Sequence, residues 1–190
     1  MKTLLIDNET TLLESLERVI PGTVTVRRWD NLQDISTKPF DLVVLSGGSR
    51  FEIEGNEEKL RDEILIIRDT SKPLIGICFG CELIVTAFGG TIEEMTNQEK
   101  GPVAIEITPG FSPIFGSGTG DFTVYENHRW HIKDMPEGFD ALASSSHGIE
   151  LIKHKTLPII GLQFHPEKVI ENGKGPYIFD RILREITGRS

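Results

Sequence analysis

The sequence predicts an α/β fold: a doubly wound, mostly parallel central sheet flanked by helices, with a smaller, partly antiparallel strand region. Three observations predict it. Short apolar runs alternate with helical patterns through the first half of the chain. One of these runs, Leu74 to Ile77, passes at once into Gly-x-Cys-x-Gly and then into a helix. From Thr91 onward, short segments rich in β-formers are separated by Gly and Pro turns.

Thr3 to Ile6 is an apolar strand ending in Asp7. Thr11 to Glu14 has capping-box form, and Leu13, Leu16 and Ile20 repeat at helical spacing until Pro21-Gly22. Val24 to Trp29 alternates as a strand, and Asp41 to Leu45 is a second buried run closed by Ser46-Gly47-Gly48-Ser49. Leu60, Ile64 and Ile67 mark a helix over 57–69. In the second half, strands are expected at Val103–Ile107, Phe122–Tyr125, Ala141–Ala143 and Ile149–Ile152. A buried strand from Leu157 to Phe164 then delivers His165-Pro166-Glu167. Pro176 opens a last amphipathic helix that ends at Gly188. With no repeat, linker or low-complexity tract, residues 1–190 read as a single domain.

The chain carries 20 basic and 29 acidic side chains, a net charge of −9, which argues against nucleic acid or an anionic membrane as main partner. No apolar run approaches membrane-spanning length, and the N-terminus is too short and too soon acidic for a signal peptide. Two cysteines on one helix start do not make a disulfide framework. The expected location is cytoplasmic.

The Gly76-Ile77-Cys78-Phe79-Gly80 turn has the logic of a nucleophile elbow. Glycines on either side leave room for a strained turn that exposes the sulfur. The helix start aims N–H groups and a positive dipole end at Cys78, favouring thiolate, and the Phe79 N–H is one oxyanion donor. A thiol nucleophile needs a base, and the base an orienter. His165 and Glu167, two apart in extended chain, leave on the same face, so Glu167 can hold the imidazole while His165 reaches the sulfur. Alone, His-Pro-Glu reads as a strand-ending turn; coupled to the elbow, it reads as base and orienter.

Gly-Ile-Cys-Phe-Gly, Phe-His-Pro-Glu and Leu-Ser-Gly-Gly, in the family's order over nearly the whole chain, resemble the class I (triad) glutamine amidotransferases, a flavodoxin-like fold. The resemblance implies that Cys78 attacks the side-chain amide of glutamine, forming a glutamyl thioester and releasing ammonia. It implies His165 as acid and base, Glu167 as its orienter, and the N–H groups of Phe79 and Gly48 as oxyanion hole. Gly47, Glu82, Asn127 and His128 are the expected substrate-binding residues. Glu54-Gly55-Asn56, Met135 to Phe139, Lys153-His154-Lys155 and Gly175 to Phe179 are similar to the stand-alone glutaminase subunit of archaeal-type GMP synthase. The partners implied are glutamine and a separate ATP-dependent synthetase subunit that receives the ammonia, with no cofactor.

Three features depart from that pattern. Glu82 stands where the family has Gln, one turn past the nucleophile, where a carboxylate opposes a thiolate. Held neutral or pointed away, it is compatible with glutamine; otherwise the resemblance shifts toward γ-glutamyl hydrolases, and a decayed, non-catalytic module is the third reading. Glu126 to His131 and Lys168 to Lys174 also differ, which bears on partner contacts. Cys78 and Cys81 form a C-x-x-C, compatible with a thioredoxin-like dithiol, a switching disulfide, or a small buried helix residue at 81. His128, His131 and Glu126 could be read as metal ligands, but polar loop residues at the site mouth, with no metal, is the expectation. His147 and His154 are expected at the surface; Trp29 and Trp130 have no assigned role.

Overall fold

A computed structural model describes residues 1–48, 51–108 and 122–189, so Ser49 lies outside the described residues. One nine-stranded sheet runs through them in the order β2-β1-β3-β4-β9-β8-β7-β5-β6. The strands are β1 (Lys2–Asp7), β2 (Thr23–Arg28), β3 (Leu42–Leu45), β4 (Leu74–Ile77), β5 (Thr91–Ile107), β6 (Phe122–Asp134), β7 (Phe139–Ser145), β8 (Gly148–His154) and β9 (Ile159–Leu162). The helices are α1 (Leu13–Val19), α2 (Arg61–Asp69), α3 (Phe79–Ala87) and α4 (Gly175–Thr187). Strands β2, β1, β3, β4 and β9 are mutually parallel; β8, β7, β5 and β6 continue the sheet antiparallel. The doubly wound sheet with an antiparallel extension is therefore the fold the sequence predicts. No helix among the described residues is long and apolar enough to cross a membrane.

Strands β3, β4 and β9 are buried throughout because helices cover both faces, which is why they read as continuous apolar runs rather than alternations. The strand period of two still divides the core. Leu5, Val44, Ile75 and Ile160 pack with Leu16 of α1 and Phe179 and Ile182 of α4. Leu4, Val43, Leu74 and Ile159 pack on the other face with Ile67 of α2 and Ile84 of α3.

Parallel register decides where chemistry can gather. Ile6 lies beside Leu45, Leu45 beside Gly76, and Ile77 beside Leu162. The residues that follow each strand (Asn8, Ser46 to Gly48, Cys78, Gln163 to His165) therefore emerge along one edge of the sheet, at its carboxyl end.

Four elements, α1, α2, β5 and β6, differ most from expectation. The capping box at Thr11 does not form: α1 begins at Leu13 with no side-chain cap, and the turn before it is held by Thr10 Oγ1, which accepts from Leu12 N–H. Helix α2 starts at Arg61, after a turn that includes 57–60. Strands β5 and β6 are much longer than Val103–Ile107 and Phe122–Tyr125, pairing from Thr91↔Asp134 to Ile105↔Phe122. Residues 91–100 of this ribbon are exposed or half-buried, so they carry no apolar face for periodicity to detect. Helix α4 has Pro in its first turn and ends on left-handed Gly188, φ 66°, as expected.

Candidate active site

Cys78 sits between β4 and α3 with φ 48° and ψ −107°, a conformation that a non-glycine residue holds only when its surroundings impose it. The Cys78 N–H donates to Leu162 O at 2.7 Å and the Cys78 carbonyl accepts from Glu82 N–H at 3.0 Å, pinning the turn to β9 on one side and to the helix on the other. The flanking glycines do what the elbow requires. A Cβ on Gly76 would strike the Gly80 carbonyl, and one on Gly80 would lie 2.6 Å from Leu45 O. The Phe79 N–H hydrogen-bonds the Cys78 sulfur and favours thiolate, but it does not prevail. Burial pushes the thiol well above its ordinary value, with Glu82, Glu126 and Glu167 adding in the same direction. The helix start favours thiolate as expected, while burial and three carboxyls pull the other way.

The candidate base is His165. His165 follows β9, is 5 % exposed, and its Nδ1 lies 2.9 Å from Glu167 Oε1. With Nδ1–H donated to the carboxylate, Nε2 is left as the proton acceptor. The imidazole and Cys78 both border Gly47. A Cβ there would lie 2.9 Å from His165 Cε1 and 3.6 Å from Cys78 Cβ. Tyr125 fixes the segment from the other side, its carbonyl accepting the His165 N–H at 2.8 Å.

A cavity of about 390 Å³ opens over the sulfur, lined among others by Gly48, Phe79, Glu82, Asn127 and His128. Gly47 is not one of its walls; it lies beside it, bordering both Cys78 and the His165 ring. Asn127 is held from two sides, its carbonyl 3.9 Å from Cys78 Sγ and its Oδ1 accepting from Gln98 Nε2 at 2.9 Å. Glu82 faces the cavity rather than turning away, 5 % exposed, and accepts from Gln163 Nε2 at 2.9 Å. Burial pushes it up to about 7 against the opposing pull of that hydrogen bond, so below neutrality it is largely uncharged.

Behind the cavity, Glu126, His128 and Glu150 each bring one ligand atom within 4.8 Å of the others. Burial raises Glu126 to about 7, and burial followed by the Glu126 charge raises Glu150 to about 8. Both Glu126 oxygens and Glu150 Oε2 are buried without a hydrogen-bond partner, while Glu150 Oε1 accepts from Ser145 Oγ at 2.6 Å. His128 donates Nδ1–H to Trp130 O at 2.7 Å and turns Nε2 to Glu126, 3.2 Å away. His131 is not part of this group but lies 3.8 Å from Glu93. Residues 128 and 131 are three apart on a strand, which puts them on opposite faces. Cys81 is fully buried against Gly161, and both cysteines are free.

Gln163 and Glu150 are site residues that the sequence pattern did not single out. Gln163 could have been found, since 163, 165 and 167 alternate onto one face. Glu150 is an acidic residue inside the apolar run Ile149–Ile152, a weaker signal. His147 pairs with Glu99 at 3.0 Å, and His154 packs its ring on Phe139, so both are tied down at the surface. Trp29 packs on Phe51 at 4.9 Å, and Trp130 lines the cavity.

The family model of glutamine amidotransferase class-I matches residues 4–184. The chain is 35 % identical over 151 residues to a glutamine-hydrolyzing GMP synthase subunit of Pyrococcus abyssi, covering 79 % of this chain and 75 % of the relative. A solved structure from Thermoplasma acidophilum, described as a GMP synthase subunit, superposes with a TM-score of 0.83 at 29 % identity, covering 99 % of this chain and 94 % of that one. A glutamine amidotransferase from Thermotoga maritima shares the fold, with a TM-score of 0.81 at 16 % identity over 98 % of each chain. An elbow cysteine, a carboxylate-held histidine and a glycine turn bordering both thus stand in a chain matched by that family over nearly its full length, and this protein belongs to the class-I glutamine amidotransferases.

Proposed function

We propose that this protein is the glutaminase subunit of a GMP synthase, a single amidotransferase domain that hydrolyses glutamine and passes ammonia to a separate ATP-dependent synthetase. His165 takes the proton from Cys78 Sγ, and the freed electron pair attacks the side-chain carbonyl carbon of glutamine. The oxyanion receives hydrogen bonds from the N–H groups of Phe79 and Gly48. Collapse of the adduct expels ammonia carrying the His165 proton and leaves a glutamyl thioester. Water deprotonated by His165 then opens the thioester, releasing glutamate and restoring the thiol. Glu167 holds the imidazole and stabilises its charged form in both halves. Glu82, Asn127 and His128 contact the substrate, and Gly47 lets base and nucleophile approach.

The observation that carries this reading is that Cys78 and the Glu167-held imidazole border the same glycine, Gly47. The names of the relatives support GMP synthesis as the use of the ammonia. Two unpaired cysteines fit a reducing, cytoplasmic setting. The test is glutamine hydrolysis by the chain with and without a candidate synthetase subunit. Turnover should rise with the partner and vanish in Cys78→Ala; turnover surviving in Cys78→Ala defeats the proposal.

One observation favours a second reading: the Glu82 carboxyl in the cavity wall. Under it the protein is a γ-glutamyl hydrolase, and turnover of γ-glutamyl peptides with none of glutamine selects it.

A further inference from the structure

The Ser46-Gly47-Gly48 turn is held from below by groups that touch neither cavity nor nucleophile. Asn8, just after β1 and 5 % exposed, donates Nδ2–H to Ser46 O at 3.2 Å and to Glu63 Oε1 at 3.0 Å. Its backbone N–H donates to Ser46 Oγ at 2.8 Å, and that hydroxyl donates to Gly47 O at 2.9 Å. Gly48 lies directly on Asn8: a Cβ there would strike the Asn8 carbonyl and come to 3.0 Å from Asn8 Cβ. The turn is thus enclosed, Gly47 by His165 and Gly48 by Asn8.

Glu63 lies on the apolar stripe of α2, between Leu60 and Ile67, and is 1 % exposed. A leucine would be the stabilising choice at such a position, because an acid buried there keeps an oxygen without a partner, Oε2, and is pushed by burial up to about 7. What the acid supplies in return is a second acceptor for Asn8 Nδ2, which fixes the amide plane and with it the wall behind Gly48.

We infer that Asn8 and Glu63 form a clamp that holds the Gly48 N–H in line with the oxyanion, which makes Glu63 a positioning residue for the hydrolysis. The inference rests on the proposed function, in which that N–H is an oxyanion donor. Misalignment weakens an interaction made only in the transition state, so kcat falls while KM stays.

The experiment measures glutamine hydrolysis by the parent, Cys78→Ala, Glu63→Leu, Glu63→Gln and Asn8→Ala proteins, each with its melting temperature. It also measures inhibition by glutamate γ-semialdehyde, whose carbonyl adds Cys78 Sγ to form a tetrahedral adduct. Glu63→Leu should lower kcat by about 10- to 100-fold and weaken the aldehyde by a similar factor, with KM within about twofold. Glu63→Gln, which keeps the acceptor for Asn8, should retain most of the activity. Asn8→Ala should reproduce the leucine pattern, and it decides the matter if Glu63→Leu does not fold. Parent-like kcat and aldehyde binding in a folded Glu63→Leu or Asn8→Ala protein overturn the clamp alone. So does a Glu63→Gln loss as deep as that of Glu63→Leu. A parent without Cys78-dependent turnover overturns the glutaminase reading and the clamp with it.

Discussion

Replacing Glu82 by Gln isolates what its carboxyl does in this site. Glu82 is 5 % exposed, accepts from Gln163 at 2.9 Å, and titrates at about 7 rather than the ordinary 4.5. A carboxyl whose folded-state value is raised holds its proton in the native protein where the unfolded chain has released it. Between pH 4.5 and 7 the native state therefore binds more protons, and stability falls as pH rises through that window. At about 1.4 kcal/mol per unit, stability that is present in full below pH 4.5 drops by on the order of 3 kcal/mol once the pH has passed 7. Glutamine keeps the acceptor for Gln163 and cannot ionise. Glu82→Gln should therefore match the parent near pH 4.5 and exceed it by about 3 kcal/mol at pH 8, roughly 6–12 °C in melting temperature for a chain of this size. The substitution also removes one of the charges that raise the Cys78 thiol. The activity gain of Glu82→Gln should thus grow above pH 7, where the parent carboxyl is ionised. Thermal melts and kcat/KM measured from pH 4.5 to 8.5 check both. Parallel melting curves for the two proteins would show that Glu82 is not held neutral by burial.

Gly47→Ala places a methyl 2.9 Å from His165 Cε1, so the imidazole must shift; kcat should fall about 100-fold, read by steady-state glutaminase assay. Glu167→Gln keeps an acceptor opposite Nδ1, 2.9 Å away, but removes the charge that stabilises the imidazolium. It should lower kcat about 10- to 100-fold with KM nearly unchanged, and a parent-like kcat would remove Glu167 from its role. Phe164 is fully buried in the core that β9 shares with α4, so Phe164→Ala should cost about 3–5 kcal/mol in urea unfolding at constant pH.

How much of the site was legible depends on how local its signals are. The elbow at Cys78 is a local signal: two glycines, an apolar strand and a helix, each required by the turn itself. The pairing of His165 with Glu167 is also local, because two residues in extended chain share a face. Glu63 was hidden for the opposite reason. On the apolar stripe of α2 a lone acid looks like a surface residue until Asn8, beyond the end of β1, is seen to need it. The β5–β6 ribbon was hidden because strand pairing satisfies its backbone without any apolar face.

By itself the sequence determined the order of strands and helices and the candidate nucleophile with its candidate base. All of these follow from the spacing of apolar and glycine residues along one stretch of chain. Only the tertiary structure decided the charge state of the site. Whether Cys78, Glu82, Glu126 and Glu150 hold their protons depends on water excluded and charges gathered from α3, β6, β8 and the end of β9 at once. Burial and through-space electrostatics are properties of three-dimensional neighbourhoods, and a residue's sequence neighbours do not report them.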